Sequence, residues 1–178
     1  MLNLDLREGD AAHDLTPALW ASWTEAAAVT FDRFHDGPPQ ACLVDRGFGG
    51  EDEATLHWRR ADERTQRSHA NTIDATEAGA YAVATLVVHA LDGWRVIART
   101  PTESGADLWI ARESDGPDAQ VRLEVSGVAE GQGSAGVQAV RTRLKQKVAQ
   151  LAAGNRDEPG IAVVVGFQLL RVCVSPLR

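Results

Sequence analysis

The sequence predicts a mixed α/β fold of one compact domain. Segments with alternating apolar and polar residues are typical of strands, and longer segments with apolar residues at helical spacing are typical of helices. The chain contains both kinds, and its 44% hydrophobic and 24% charged residues are an ordinary globular composition. Its 178 residues can bury one hydrophobic core but not two of ordinary size. We therefore expect one domain over residues 1–178, with an N-terminal layer over 1–70 and a core over 74–178.

The N-terminal layer is predicted to consist of a strand, a helix and a hairpin. Residues 2–6 alternate between apolar and polar, as in a half-buried strand. Residues 16–34 begin with a threonine-proline pair, which suits a helix N-cap and first turn, and continue with apolar residues at helical spacing. Residues 40–45 and 53–59 alternate on either side of a glycine-rich turn, which predicts the hairpin. Residues 61–70 are polar and predict an exposed linker or a weakly held helix.

The second half predicts a helix, three strands, a helix and a strand, in that order. Asp74 is followed three residues later by Glu77, which is the pattern of a capping box before a buried helix over 75–91. Turn-forming residues separate the segments that follow. The remaining predicted elements are strands over 94–100, 106–113 and 120–126, a helix capped by Ser134 and closed by Gly154, and buried strands over 161–165 and 168–174.

The charge of the chain is acidic overall but uneven. A net charge of −7 argues against a protein that binds nucleic acid over most of its surface, because such proteins are basic. Residues 132–156 contain no acidic residue, and the basic residues there are Arg141, Arg143, Lys145, Lys147 and Arg156. The helix around Arg141–Lys147 is therefore the predicted contact for an anionic partner such as nucleic acid.

The sequence predicts a cytoplasmic protein without a membrane segment. Its N-terminus lacks the basic start and apolar run of a signal peptide. Its longest apolar stretch, residues 78–91, is shorter than the roughly 20 residues that span a bilayer. The exposed strands of the N-terminal layer could pair between copies, so a homodimer or a partner protein is a further possible association.

Two acidic residues on neighbouring predicted strands are candidates for a metal site. Asp107 opens the second strand of the second half, and Glu124 lies in the third. Hard carboxylate oxygens suit Mg²⁺, and two of them on adjacent strands can hold one ion that keeps waters for a substrate phosphate. In the alternative interpretation, Asp107 merely begins a strand after a turn and Glu124 lies on a solvated face of the sheet.

The order of elements and these two acids resemble the αβββαβ core of the PD-(D/E)XK, or restriction-endonuclease-like, nucleases over residues 74–165. The resemblance implies Mg²⁺- or Mn²⁺-dependent hydrolysis of phosphodiester bonds in nucleic acid. It implies that Asp107 and Glu124 bind the metal, that Val125 contributes its backbone carbonyl, and that Glu77 is a further ligand. The capping box remains the alternative role for Glu77.

The sequence departs from the family at the lysine of the motif, where this chain has Ser126. That lysine orients or deprotonates the attacking water and stabilises the charge that builds on the phosphate, which serine cannot do. The only lysines of the chain, Lys145 and Lys147, lie on the following predicted helix, and either is predicted to supply the charge from there. Two alternatives remain: both lysines lie on a solvated helix face, or the fold is a catalytically inactive binding or scaffold subunit.

Overall fold

The computed structural model describes residues 1–47, 50–101, 106–116, 119–154 and 158–176. Arg156 lies outside these residues, and so do residues 102–105 of the turn predicted over 101–105. Among the described residues, four α-helices surround one eight-stranded sheet, and no helix has the length and apolar character needed to cross a bilayer. The strands are β1 (Leu2–Asp5), β2 (Gln40–Asp45), β3 (Glu51–His57), β4 (Arg95–Arg99), β5 (Leu108–Ala111), β6 (Val121–Val128), β7 (Gly160–Gly166) and β8 (Arg171–Val174). The helices are α1 (Pro17–Asp32), α2 (Glu63–Ser68), α3 (Thr72–Asp92) and α4 (Gly133–Ala153).

The mixed α/β class is confirmed by a single mixed sheet with the strand order β1-β3-β2-β8-β7-β6-β5-β4. The strands of the predicted N-terminal layer lie in the same sheet as those of the second half. They join it where β2 pairs with β8 in parallel, from Leu43 opposite Arg171 to Asp45 opposite Cys173. The N-terminal residues therefore widen the sheet that carries the candidate acids.

The second half follows the predicted order of a helix, three strands, a helix and a strand. Strands β4, β5 and β6 are antiparallel neighbours. Strand β7 then pairs with β6 in parallel. Because a parallel pair requires a crossover connection, α4 runs back across the sheet between β6 and β7. This connection places α4 directly above the face of β6 that bears Glu124.

Strand β6 is buried on both faces, and its side chains alternate between two environments. Val121, Leu123 and Val125 belong to the main apolar core, which also contains residues of α1 and α3. The opposite face bears Glu124 and Ser126, and both are buried. On that side the buried apolar cluster is small and consists of Val140, Val164 and Cys173. The sheet is thus largely apolar towards α3 and substantially polar towards α4.

Close backbone contacts at two glycines fix the position of α3. A Cβ atom on Gly79 would lie 2.7 Å from the Cα of Ala27, so this glycine lets α1 and α3 approach each other. A Cβ atom on Gly127 would lie 2.6 Å from the carbonyl oxygen of Thr76. This second contact brings the start of α3 against the end of β6, next to the candidate site.

The predicted caps of both long helices of the second half are wrong. Asn71 is the N-cap of α3, and its side-chain oxygen accepts hydrogen bonds from two backbone N–H groups of the first turn. Asp74 therefore lies inside the helix and Glu77 beyond its first turn, so no capping box forms there. The N-cap of α4 is Gln132, without a side-chain cap hydrogen bond, in place of Ser134. The cap-based alternative for Glu77 does not hold.

Candidate active site

The two candidate acids meet where β5 and β6 begin to pair. Leu108 is paired with Leu123 in antiparallel register, so Asp107, one residue earlier, lies opposite Glu124. The N–H of Asp107 still donates to the carbonyl of Leu123 at 3.1 Å, which extends the pairing to this residue. Opposite residues of an antiparallel pair project to the same face of the sheet. The structure therefore brings the two carboxylates together.

Hydrogen bonds from two directions hold the Asp107 carboxylate. Its Oδ2 accepts from the N–H of Val125 at 2.8 Å, and its Oδ1 accepts from the Oη of Tyr81 at 3.1 Å. Burial, and after it the charge of Asp107, raises the pKa of Tyr81 above its ordinary value, so the phenol stays protonated and can donate. The same Oη lies 3.4 Å from Oε1 of Glu77, which is exposed on α3. Tyr81 thus connects Glu77 to Asp107.

The Glu124 carboxylate is only 1% exposed, so the alternative of a solvated sheet face does not hold for it. Its Oε1 accepts a hydrogen bond from Nζ of Lys147 at 2.5 Å. Its Oε2 is buried and has no hydrogen-bond partner within the described residues. An unsatisfied buried acceptor carries a desolvation cost of about 1–3 kcal/mol, and more if it is charged. A proton or a bound cation at Oε2 would remove that cost.

The pKa of Glu124 is raised to about 7. Burial is the largest cause, and the neighbouring Asp107 carboxylate acts in the same direction, through its charge and through a hydrogen bond that forms when the two carboxyl groups share a proton. The hydrogen bond from Lys147 acts against both and favours the ionised form. Near neutral pH, Glu124 is therefore divided between a protonated and an ionised form, and a cation at the site would compete with the proton.

This raised pKa predicts a pH dependence of stability. In the unfolded chain the pKa of Glu124 returns towards its ordinary value of 4.5, so the folded protein binds the proton more tightly. The stability gained from the proton is complete below the unfolded-state pKa and is lost as the pH rises through the folded-state value. We expect the free energy of unfolding, measured by urea titration between about pH 5 and pH 8, to fall less steeply with pH in Glu124→Gln than in the unmodified protein.

The slopes of the two pH profiles are compared rather than the absolute stabilities, because Glu124→Gln also changes the hydrogen bond with Lys147. Glu53→Gln is the matched control, since Glu53 is an exposed glutamate on β3. It should leave the slope unchanged. Parallel pH profiles for the unmodified protein and Glu124→Gln would contradict the expectation.

Only one of the two candidate lysines reaches the acids. Lys147 contacts Glu124, its side chain is 17% exposed, and its Nζ also donates to Oε1 of Gln150 at 3.2 Å. Lys145 is exposed on α4, and it is not among the described residues that line the cleft beside the acids. Lys147 is therefore the candidate lysine that lies beside Glu124, and Lys145 is not.

The basic helix predicted to contact an anion is partly neutralised by the protein itself. Nη2 of Arg141 donates to Oδ2 of Asp45 at 3.0 Å, and Lys147 is paired with Glu124. Nε of Arg143 donates to Oγ of Ser126 at 2.9 Å. Arg143 and Lys145 are therefore the basic residues of this helix without a carboxylate partner among the residues that the structure describes.

A cleft of about 350 Å³ lies beside the acids, between the start of α3, the end of β6 and α4. Four of the predicted site residues line it: Glu77, Asp107, Val125 and Lys147. Ser126 and Arg143 line it as well. The cleft thus combines the carboxylates of Glu77 and Asp107 with two cationic side chains, whereas the buried Glu124 is not among its described lining residues.

Sequence reasoning missed Tyr81, which lies within the predicted buried helix over 75–91. A signal for it exists, because Glu77 and Tyr81 are four residues apart and so share one face of α3. The contact with Asp107 has no such local signal. It depends on the approach of α3 to β6 at Gly127, which joins segments that are distant in the sequence.

The donor set fits a hydrated divalent cation of the Mg²⁺ type. Within the described residues, no group of three or more His, Cys, Asp and Glu side chains could hold a metal. Mg²⁺ is commonly bound by one or two carboxylates, with water and substrate phosphate as its other ligands. Asp107 and Glu124 provide such a pair, and Oε2 of Glu124, which has no hydrogen-bond donor in the described part of the chain, provides an acceptor. The carbonyl of Val125 as a ligand stays a prediction.

The side chains around the cleft indicate which kinds of ligand the site can bind. Two carboxylates, a lysine and an arginine around an open cleft suit the binding of a metal and a phosphate together. No known protein-family model, curated protein or solved structure matches this chain.

Proposed function

We propose that the protein is a divergent PD-(D/E)XK-like nuclease that hydrolyses phosphodiester bonds in nucleic acid with Mg²⁺ or Mn²⁺. The proposal depends on one observation: the buried Glu124 beside Asp107 has one carboxylate oxygen bound to Lys147 and the other without a hydrogen-bond donor among the described residues. The order of α3, the strands β4 to β6, α4 and β7 supports the same family. The family's restriction-endonuclease-like core is part of the proposal.

Asp107 and Glu124 would hold the cation, with Glu77 at the exposed side of the cleft. Once bound, such an ion lowers the pKa of a coordinated water and stabilises charge on the phosphate. The protein prepares the site by fixing both oxygens of Asp107 through Val125 and Tyr81. A carboxylate that is already oriented needs no reorganisation when the cation and substrate bind.

Lys147 would supply the positive charge that the motif lysine supplies elsewhere in the family. It approaches from α4 rather than from β6, and its Nζ is 2.5 Å from Glu124. A lysine at this position lies next to the proposed metal ligands, where negative charge builds on the phosphate during attack. Ser126 occupies the motif position and takes no part in this role.

A catalytically inactive binding or scaffold subunit is the second candidate function. Ser126 in the motif position favours it, and so does the existing ion pair between Lys147 and Glu124. A buried ion pair of this kind also occurs as a purely structural feature. The two functions differ in whether the acids bind a divalent cation and whether nucleic acid is then cleaved.

Calorimetric titration with Mn²⁺ and cleavage assays on plasmid, single-stranded DNA and RNA test the proposal. We expect the unmodified protein to bind Mn²⁺ and to cleave at least one substrate. Asp107→Asn and Glu124→Gln should lose both properties, because each removes a charged ligand, whereas the exposed Glu53→Gln should retain both. Mn²⁺ binding without cleavage would favour the inactive subunit, and no Mn²⁺ binding at all would overturn the metal site.

A further inference from the structure

Two side chains of α4 lie above two side chains of β6. Lys147 contacts Glu124, and Arg143 contacts Ser126. Four residues of helix advance about 6 Å, and two residues of strand advance about 6.7 Å. Because α4 runs antiparallel to β6, these nearly equal spacings let both pairs form at once. Ser126, which stands at the position of the motif lysine, therefore accepts a hydrogen bond from Arg143.

The hydrogen bond to Ser126 leaves most of the Arg143 guanidinium available. Its Nε donates to Oγ of Ser126 at 2.9 Å, and its Nη1 makes a longer contact of 3.4 Å with Gln146. Nη2 has no hydrogen-bond partner in the part of the chain that the structure describes. The guanidinium is planar, permanently charged and matched in shape to two oxygens of a phosphate. Arg143 also lines the cleft that holds Asp107.

We propose that Arg143, oriented by Ser126, binds a backbone phosphate of the nucleic acid beside the bond to be cleaved. This inference rests on the proposed nuclease function and names the contact that recruits its substrate. Ser126 is then a positioning residue. Lys147 keeps the role proposed above, beside the metal ligands and the phosphate under attack, and Arg143 binds a neighbouring phosphate of the strand.

The other basic residues of α4 fit this role less well. Arg141 is held by Asp45 at 3.0 Å, and Lys147 is held by Glu124. Lys145 is exposed and outside the lining of the cleft among the described residues. A protein with a net charge of −7 and few unpaired cations near its cleft should make few phosphate contacts. Its binding should therefore depend only weakly on salt, and one residue should account for much of that dependence.

The test is the salt dependence of binding without metal. A fluorescein-labelled single-stranded DNA and an RNA of the same sequence are titrated in EDTA at several salt concentrations. Each phosphate contact on a single strand contributes about −0.7 to the slope of log K against log salt. We expect Arg143→Gln to reduce the slope by about that amount and to weaken binding roughly tenfold. Lys145→Gln has the same change of charge and should leave the slope unchanged.

A double-mutant cycle tests the role of Ser126. Ser126→Ala keeps the charge of Arg143, so it should leave the salt slope unchanged while weakening binding about threefold through the lost orientation. In the Arg143→Gln background the same substitution should have no further effect on binding. A merely structural role for Ser126 would give equal effects in both backgrounds.

The outcomes separate this inference from the proposed function. Equal slopes for Arg143→Gln and Lys145→Gln would overturn the phosphate contact, even if the unmodified protein binds Mn²⁺ and cleaves. A reduced slope for Arg143→Gln without any metal-dependent cleavage would support the contact and overturn the catalysis. A reduced slope with DNA alone or RNA alone would support the contact and identify the substrate. No binding to either nucleic acid would overturn the contact.

Discussion

Replacing Lys147 with methionine is expected to lower metal-dependent cleavage by about 100-fold or more, while Lys145→Met leaves it nearly unchanged. Methionine keeps an unbranched side chain but removes the charge that lies 2.5 Å from Glu124. If Lys147 stabilises the charge that develops on the phosphate, the loss should appear in kcat rather than in KM. Single-turnover cleavage with saturating Mn²⁺ measures it directly.

The same substitution also changes the pKa of the proposed metal ligand Glu124, and this change determines the pH at which the assay must be run. The hydrogen bond from Lys147 lowers the pKa of Glu124, so Lys147→Met should raise that pKa further. A protonated Glu124 would bind the cation poorly for a reason unrelated to catalysis. The assay therefore belongs at about pH 8.5 or above, with Mn²⁺ binding measured in parallel.

Lys145→Met is the matched control, because it removes the same charge from the same helix at an exposed position. If Lys147→Met keeps full activity and Lys145→Met loses it, the catalytic charge belongs to Lys145. That result would contradict the role inferred from the site geometry. An equal loss of activity in both variants would indicate that the net charge of α4 matters, and not the position of one lysine side chain.

Alternation along β6 explains why the sequence could locate the acids. A strand whose odd positions are apolar must point its even positions to the other face, which brings Glu124 and Ser126 to one side. Asp107 lies one residue before the first residue of β5, so turn and strand signals together predict its position. Each of these inferences uses residues that are close in the sequence.

The features that sequence reasoning missed depend on contacts between distant segments or on the exact path of the backbone at a helix start. The parallel pairing of β2 with β8 has no local signature, because it joins residues more than one hundred positions apart. The cap of α3 was misassigned because Asn71 and Asp74 both offer a suitable side chain within one turn, and only the backbone path distinguishes them. The bond between Ser126 and Arg143 requires the antiparallel placement of α4 on β6.

The largest loss of stability is expected from Asp45→Ala, at about 3–5 kcal/mol. Asp45 lies where β2 meets β8 and is 6% exposed. Its Oδ2 accepts from Arg171 at 3.1 Å and from Arg141 of α4 at 3.0 Å, and its Oδ1 accepts from the N–H of Gly47 at 2.8 Å. Without Asp45, the buried Arg171 keeps only the partly exposed Glu51 as an ionic partner among the described residues. Urea unfolding measures the loss.

Two comparisons test whether an unpaired buried charge is the cause. Asp52→Ala removes a carboxylate whose pair with Arg46 is about one-third exposed, so it should cost under about 1 kcal/mol. Adding Arg171→Met to Asp45→Ala removes the stranded charge and should recover part of the stability. If the double variant is less stable than Asp45→Ala alone, the cost comes from lost packing or lost hydrogen bonds instead.

The effect of Asp45→Ala should also depend on pH, with a sign opposite to that of Glu124. Burial alone would raise the pKa of Asp45, but hydrogen bonds from Gly47, Arg141 and Arg171 outweigh it and hold the pKa below its ordinary value. The stability that the ionised group contributes is present above the unfolded-state pKa and is lost as the pH falls through the folded-state value. The difference between Asp45→Ala and the unmodified protein should therefore shrink as the pH falls below the unfolded-state pKa of an aspartate, about 3.9. A difference that stays constant from neutral to acid pH would mean that the charge of Asp45 does not stabilise the junction between β2 and β8.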